Sequence, residues 1–424
     1  MSFPRYPKYK ASGVEWLGEV PQHWDVVALK RIASLKSGDS ITGESIEETG
    51  DYPVLGGNGL RGYTSAFTHD GHFVVIGRQG ALCGNINYAT GKFWASEHAV
   101  VASPLMPVET VWLGEMLRAM NLNQHSVSAA QPGLSMEFVG NLRTVLPPRG
   151  DQTAIASFLD RETSKIDGLV GEQRRLIELL KEKRQAVISH AVTKGLNPHA
   201  PLKPSGIQWL GDVPEHWKVK PMRMIANVVR GASPRPAGDP RYFGGDAVPW
   251  VTVAEITKDD LVDLTATDTF LTEEGAKNSK QFAKGTVIYS NSGATLGVPK
   301  ILQIDACAND GVVAFERLSR EVHPQFLYHY LASITDAIRE KVKQGSGQPN
   351  LNTDIVKALR FGLPPMDEQE GIVGHIAKLA EQFGSLTAEA ARGIELLQER
   401  RTALISAAVT GQIDVRGLAE TEAV

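Results

Sequence analysis

The side chains most able to do chemistry in this 424-residue chain are a glycine-rich hexapeptide, eleven histidines, two cysteines and scattered arginines and amides. Gly57-Asn58-Gly59-Leu60-Arg61-Gly62 satisfies G-x-G-x-x-G, the loop that cradles a dinucleotide pyrophosphate at a helix N-terminus. That use requires a helix directly after the loop and an acidic side chain about 20 residues further on. Here the strand-like YTSAF follows, and Ile76-Gly77-Arg78 occupies the second place, so a nucleotide site is not expected. Neither a G-x-x-x-x-G-K-[ST] phosphate loop nor a G-x-S-x-G nucleophile elbow occurs. The histidines lack H-x-x-x-H spacing, and Cys83 and Cys307 cannot build a cysteine-rich metal site or a disulfide framework, so no metal is expected. The Asn- or Asp-Pro-Pro-aromatic tetrapeptide of amino-methylating enzymes is absent too; the Pro-Pro pairs follow Leu.

Basic and amide side chains are more suggestive. Lys218, Lys220, Arg223, Arg230, Arg235 and Arg241 fall in one stretch opposed only by Asp239. Earlier, Lys30, Arg31, Lys36, Arg61 and Arg78 are interleaved with Asn58, Tyr63, Gln79, Asn85, Asn87 and Tyr88. Arg, Asn, Gln and Ser hydrogen-bond base edges and phosphates, whereas Lys mainly counters phosphate charge. The best placed are polar residues at turns between strands, Arg78-Gln79 and Ser290-Asn291-Ser292. The bland reading of each residue is a solvated face. The formal net charge of −4 does not exclude nucleic acid, since local pattern outweighs the sum.

The elements that must position these residues are written twice. SGVEWLGEVPQHW (Ser12 to Trp24) and SGIQWLGDVPEHW (Ser205 to Trp217) agree at nine of thirteen positions at an offset of 193. LIELLKEKRQAVISHAVT (Leu176 to Thr193) and GIELLQERRTALISAAVT (Gly393 to Thr410) agree at twelve of eighteen at an offset of 217. That second register extends back through Leu146-Pro147-Pro148 and Leu363-Pro364-Pro365 to Gln131-Pro132 and Gln348-Pro349. Between these blocks Gly80-Ala81-Leu82-Cys83-Gly84 echoes Gly293-Ala294-Thr295-Leu296-Gly297 at 213, and Ala95-Ser96-Glu97 echoes Ala308-Asn309-Asp310. The second copy therefore carries 24 extra residues (217 less 193), mostly early in its variable part. His23 and His216 repeat inside the Trp motif, which reads as structural rather than catalytic.

Each half is read as a variable domain followed by a helical segment: 1–150 and 151–201, then 202–367 and 368–424. FVVIGRQGALCGNINYA and GTVIYSNSGATLGVPKIL each read as strand, glycine turn, strand, with one helix per domain near Val111–Met120 and Pro324–Ala332. After each Leu-Pro-Pro a short helix is expected, then a heptad-like stripe of Ile166, Leu169, Leu176, Leu180 and Val187, matched by Phe383, Leu386, Ile394, Leu397 and Leu404. A helix from about Glu162 to Val192 would span roughly 45 Å. Two such apolar stripes in one chain bury each other. The expected fold is thus α+β: two globular mixed α/β domains separated by an antiparallel pair of long helices, in a circular, pseudo-two-fold arrangement. No run of roughly 18 apolar residues predicts a membrane span, and the N-terminus lacks a secretory apolar core, so a cytoplasmic protein is expected.

The segments SGxxWLGxVPxHW, LPPxxxQ, IELLxExRxALIxxAVT and the closing TGQIDV resemble the specificity subunit of type I DNA restriction–modification systems. The resemblance covers essentially the whole chain, including the duplication. It implies two target recognition domains, each reading one half of a split double-stranded DNA site, with helices that set the spacing. It also implies no catalysis in this chain but recruitment of two methyltransferase (modification) subunits and of restriction subunits. S-adenosylmethionine, ATP and Mg would belong to those partners, and no cofactor to this chain. The residues expected at DNA are Asn58, Arg61, Tyr63, Arg78, Gln79, Asn85, Lys218, Arg230, Arg235, Arg241, Ser290, Asn291 and Ser292. Two departures stand out: Gly393 replaces Leu176 in the stripe, and Lys194 stands where the second copy has Gly411. A fused methyltransferase is excluded by length; a helical assembly scaffold that binds no DNA is the alternative.

Overall fold

The computed structural model describes residues 3–80, 82–126, 133–207, 210–293, 295–343 and 351–418. Gln131-Pro132, Gln348-Pro349, Ala81, Trp209 and Ala294 of the repeats lie outside them. Residues up to Arg174, with those from Ala391 onward, form one compact unit, and Arg175–Ala390 form the other.

The repeated motifs build the same clasp in each unit. In unit 1 the hairpin of Tyr9–Ala11 with Glu19–Pro21 leads to Trp24, whose buried indole N–H donates to Asp151 Oδ2 at 2.8 Å. His23 Nε2 meets the same oxygen at 2.8 Å. In unit 2, after the hairpin of Leu202–Pro204 with Asp212–Pro214, Trp217 Nε1 and His216 Nε2 reach Glu368 Oε2 at 3.1 and 2.7 Å. Both carboxylates sit in the first turn of a long helix, where the helix dipole favours negative charge. The histidines therefore repeat because they hold a carboxylate, as a structural role requires.

LPPxxxQ has a similar explanation. The strands Asp25–Ala28 and Lys218–Pro221 pair antiparallel with Arg143–Leu146 and Arg360–Leu363, each of which runs into Pro-Pro. The buried Gln152 donates to Pro147 O at 2.9 Å and accepts from Glu109 N, just before the helix Thr110–Ala119. Gln369 donates to Pro364 O at 2.9 Å and accepts from His323 N, just before the helix Pro324–Ser333. One buried amide thus ties the long helix to the helix of the variable domain.

The long helices are Arg149–Lys194, 46 residues, and Met366–Val409, 44 residues. The first is one uninterrupted helix from Arg149 onward, not a short helix followed by a second, and at 1.5 Å per residue it is about 69 Å long. Halves of both helices run antiparallel in each unit. In unit 1 Asp151, at the start of the first helix, and Gly411, past the end of the second, both abut Trp24, while Asp167 pairs with Arg401 further along. In unit 2 Gly195, past the end of the first helix, abuts Trp217 and Glu368.

The heptad stripe is partly out of phase with the packed face. Ile166 and Leu404 are buried, and Leu180, Val187, Phe383, Ile394 and Leu397 are half-buried. Leu169, Leu176 and Leu386 are 46, 43 and 48% exposed. Val170 and Ile188 are buried instead, one position after Leu169 and Val187, because the straight helix turns the packed row away from a strict seven-residue repeat. Gly393 has open space where a Cβ would stand, so its exchange with Leu176 falls on the surface and softens no seam. The Lys194 departure also dissolves. The first helix runs two residues further in that register, and Gly195 (φ +76°) ends it as Gly411 (φ +77°) follows the second, both in the left-handed conformation that favours glycine.

The variable parts diverge. Unit 1 has a six-stranded sheet in the order Ala33–Ser37, Ala99–Pro104, His69–Gly77, Ile86–Ala95, Tyr52–Gly56, Gly59–Thr64. Unit 2 has a five-stranded sheet, Asn227–Arg230, Val312–Glu316, Val287–Ser290, Pro299–Leu302, Asp263–Leu264. A four-stranded sheet of Phe270–Leu271, Phe243–Val251, Ala306–Ala308 and Lys280–Phe282 accompanies it. Both expected hairpins form: His69–Gly77 pairs with Ile86–Ala95, and Val287–Ser290 with Pro299–Leu302. Most of the extra length lies between Arg230 and Val287, where the second sheet is largely built. Cys83 and Cys307 are free and buried.

Candidate nucleic-acid interface

Unit 1 carries an open cavity of about 450 Å³ lined by Gly57–Arg61, Gln79, Gly80, Leu82 and His98. The turn exists because Gly56 pairs with Gly59, leaving Gly57-Asn58 as a two-residue loop. Gly59 takes φ +90°, and a Cβ on Gly77 would collide with the Gly57 carbonyl, so these glycines let two loops approach closely. The strand Gly59–Thr64 follows the turn, so no helix N-terminus stands where G-x-G-x-x-G would need one.

The cavity gathers Asn58, Arg61 and Gln79, all exposed, and Asn85 joins them by donating from Nδ2 to Asn58 Oδ1 at 3.2 Å. His98, absent from the sequence-derived set, places Nδ1 3.1 Å from Gln79 Oε1. Arg78 does not line the cavity. It is half-buried, and its backbone is taken up by His98 O (2.9 Å) and Leu134 N (3.1 Å). Tyr63 is half-buried on its strand, where its backbone pairs with Glu47.

In unit 2 the expected turn tip is not a tip. Ser290 and Asn291 are fully buried. The Ser290 hydroxyl donates to Thr295 O and accepts from Val298 N, closing its own hairpin. Among the described residues the Asn291 amide atoms have no hydrogen-bond partner, and its carbonyl accepts from Leu351 N at 2.8 Å. Ser292 is half-buried. The basic run is dispersed and partly neutralised. Arg230 donates to Asp310 O, and Arg235 stands 3.4 Å from Asp310 Oδ2. The Ser233 hydroxyl and these arginines hold the Asp310 carboxyl below the usual carboxylate range. Arg241 clasps Asp239, which is likewise held low by that contact. Lys218 is exposed at the start of its strand, near the Lys220–Glu321 pair.

A pair of further cavities, one in each unit, repeats in register. In unit 1 about 410 Å³ is lined by Lys30, Ala33, Ser34, Leu35, Leu105, Met136, Glu137, Gly140 and Asn141. In unit 2 about 370 Å³ is lined by Arg223, Met224, Ile225, Ala226, Asn227, Val228, Arg317, Ser319 and Lys357. Lys30 corresponds to Arg223 at offset 193, and Gly140 to Lys357 at 217. Three cations line the second cavity. The first has Lys30, bonded to Asn141 Oδ1 at 2.7 Å, and the acid Glu137. Arg317 and Lys357 carried no sequence signal, since they are isolated in the chain and meet only through the fold.

The sequence profile of the "Type I restriction modification DNA specificity domain" family matches residues 21–178 and again 214–395. The chain belongs to this family. Each match contains the Trp, His and carboxylate of one clasp, and together they contain the lining of all three cavities. The type I restriction enzyme EcoprrI specificity subunit of Escherichia coli is 43% identical over 137 residues, 31% of this chain and 34% of that protein. A putative type I restriction enzyme specificity subunit of Haemophilus influenzae is 24% identical over 365 residues, 84% of this chain and 87% of that one. A chain solved in a study of complex assembly and conformational transition of the type I R-M system superimposes with a TM-score of 0.61 at 17% identity. That match covers 92% of this chain and 98% of the solved one, and shows that the two share a fold. Among the described residues no helix is long and apolar enough to cross a membrane.

Proposed function

We propose that this type I specificity chain reads a two-part double-stranded DNA site, one part per recognition domain, and has no catalytic activity of its own. The observation that carries the reading is the duplicated family match on two corresponding clasps that present different polar cavities. A shared frame with different lining is what reading two different half-sites needs. Asn58, Arg61, Gln79 and Asn85 are assigned to base edges, and Lys218, Arg230 and Arg235 to the phosphate backbone. Exposed leucines on the long helices (Leu169, Leu176, Leu179, Leu386 and Leu396) support docking of other subunits. We assign them to two methyltransferase subunits, with restriction subunits joining the assembly; S-adenosylmethionine, ATP and Mg belong to those partners. The domains 1–150 and 202–367, with helical segments 151–201 and 368–424, are the working division. Mapping methylated adenines genome-wide before and after deletion of the gene tests this. Loss of methylation at one interrupted motif is expected; an unchanged map, with no duplex bound in a gel shift, would leave a helical scaffold.

A further inference from the structure

We propose that the unit 2 cavity lined by Arg223, Arg317 and Lys357 holds a phosphate of the DNA backbone, a site that unit 1 lacks; this rests on the reading of the chain as a DNA-binding protein. An inserted residue brings Arg317 there. In unit 1 Ser34 pairs with Ser103, and Leu105 N donates to Ile32 O at 2.8 Å, so Pro104 alone links the two contacts. In unit 2 the corresponding pair is Asn227 with Glu316, and the donor to Ile225 O is Ser319 N at 2.7 Å. Two residues, Arg317 and Leu318, fill the same span. The extra residue bulges from the strand end, and Arg317 takes φ +50°. That left-handed conformation disfavours most side chains; the other non-glycine residue in it among the described residues is Asn121, a type that tolerates it.

The cavity lining holds these three cations and no acid. Arg223 and Arg317 are exposed and make no ion pair among the described residues. Lys357, half-buried, stands 3.8 Å from the exposed Asp354. Glu316, beside Arg317 in the chain, is already engaged by Lys280 at 3.1 Å and by Asn227 Nδ2 at 3.3 Å. A cleft lined by one sign of charge concentrates the opposite sign, and the guanidinium fork fits the oxygens of a phosphate. In unit 1 the corresponding cavity has Lys30, spent on Asn141, with Gly140 in the place of Lys357 and the acid Glu137 added. The source of the phosphate follows from the strand Asn227–Arg230. The cavity lies at its Asn227 end and Arg230 at the other, about 10 Å away at 3.3 Å per residue. A duplex advances 3.4 Å per nucleotide along each strand, so about three steps cover that distance. One DNA strand can meet both ends; a free phosphate cannot.

The test uses the duplex that the full chain selects from a randomised pool, with single phosphates replaced in turn by neutral methylphosphonates. Gel shifts should find one phosphate on the unit 2 side whose replacement weakens binding about tenfold, the size of one charge-assisted hydrogen bond. Arg317→Gly should weaken the unmodified duplex by a similar factor, lower the salt slope by about 1 and make that replacement harmless, with the selected sequence unchanged. Because glycine accepts the left-handed backbone, the same variant should unfold no earlier in denaturant than the parent chain, which separates lost binding from lost folding. Lys357→Gln should repeat the loss of affinity. Variants that bind every duplex as the parent does overturn the proposal and leave sequence reading intact. With DNA binding unchanged, stabilisation by inorganic phosphate that both variants lose would make this a free-anion site, and lost binding of methyltransferase subunits would give it to partner carboxylates; either overturns the proposal. A chain that selects no sequence overturns both readings.

Discussion

The junction between long helix and Trp motif is covalent in unit 2 and non-covalent in unit 1. In unit 2 the first helix ends at Lys194, and the chain runs through Gly195 directly into the strand Leu202–Pro204. In unit 1 the second helix ends at Val409, and the strand it must meet, Tyr9–Ala11, is at the far end of the sequence. The gap is bridged by side chains and backbone. The Tyr9 hydroxyl donates to Gly411 O at 3.0 Å, and Asp414 N donates to Pro4 O at 2.8 Å. The Arg416 guanidinium, bonded to Asp414, lies over the Tyr6 ring. The segment Ile413-Asp414-Val415 thus does by contact what residues 195–201 do by covalent linkage. The copies are equivalent as packed objects, and the chain break could fall at either junction. A contrast of another kind separates the cavities: frames in register, with lining that differs in charge.

The largest effect should come from exchanging lining while keeping frame. Replacing residues 30–140 with the matching segment of a relative should change one half-site completely and leave the other untouched, read by selection from a randomised duplex pool. Alteration of both halves would break the two-unit comparison. Next in size is the clasp. Asp151 is buried and Glu368 only half-buried, so Asp151→Ala should cost about 2–3 kcal/mol and Glu368→Ala about 1–2, by leaving Trp and His donors unpaired. Denaturant unfolding checks the order; equal costs would mean that burial does not distinguish the clasps.

A pH dependence should separate the units. Counting along the two ten-residue helices, the sixth position is Glu115 in unit 1 and His329 in unit 2. Glu115 is bonded to the Tyr88 hydroxyl and to Arg118. His329 is pushed down to about 4 by burial, with the nearby Arg184 adding to the effect. Because the folded ring protonates below the ordinary value of about 6.5, the unfolded chain takes up the proton first. This contribution is present above pH 6.5 and is lost as pH falls toward 4, by about 3 kcal/mol in all. His329→Leu should flatten that part of a stability–pH curve for unit 2.

Smaller still is the salt response. Arg223→Ala with Arg317→Ala should reduce the slope of log affinity against log salt by about 2, and Lys30→Ala by about 1 or less. Equal losses would remove the charge contrast between the cavities. The smallest effect should follow from moving the chain break. A permutant joining Val415 to Ser12 by a short linker and opened between Asn197 and Lys203 should fold and select the same sequence, since Asp414 already meets Pro4 within unit 1. A soluble permutant that selects nothing would mean that the two junctions are not interchangeable.

The repeats alone determined the duplicated organisation, both hairpins, the variable-domain helices and the structural role of His23 and His216. Local chemistry is enough for these: proline before a helix, alternation in a strand, and an identical motif that must make identical contacts. The family resemblance was equally legible, because it rests on frame residues. The sequence reading missed where geometry and sequence proximity part. A heptad count cannot separate Leu169 from Val170, since the two are one residue apart and only packing selects the face. The run from Lys218 to Arg241 reads as one basic patch until Asp310 and Asp239 claim three of its arginines. Ser290 and Asn291 read as a tip, but the hairpin folds inward and buries them. Arg223, Arg317 and Lys357, like Gln79 and His98, meet only because separate strands and loops bring them to one place, and that long-range closure was decided by the tertiary structure.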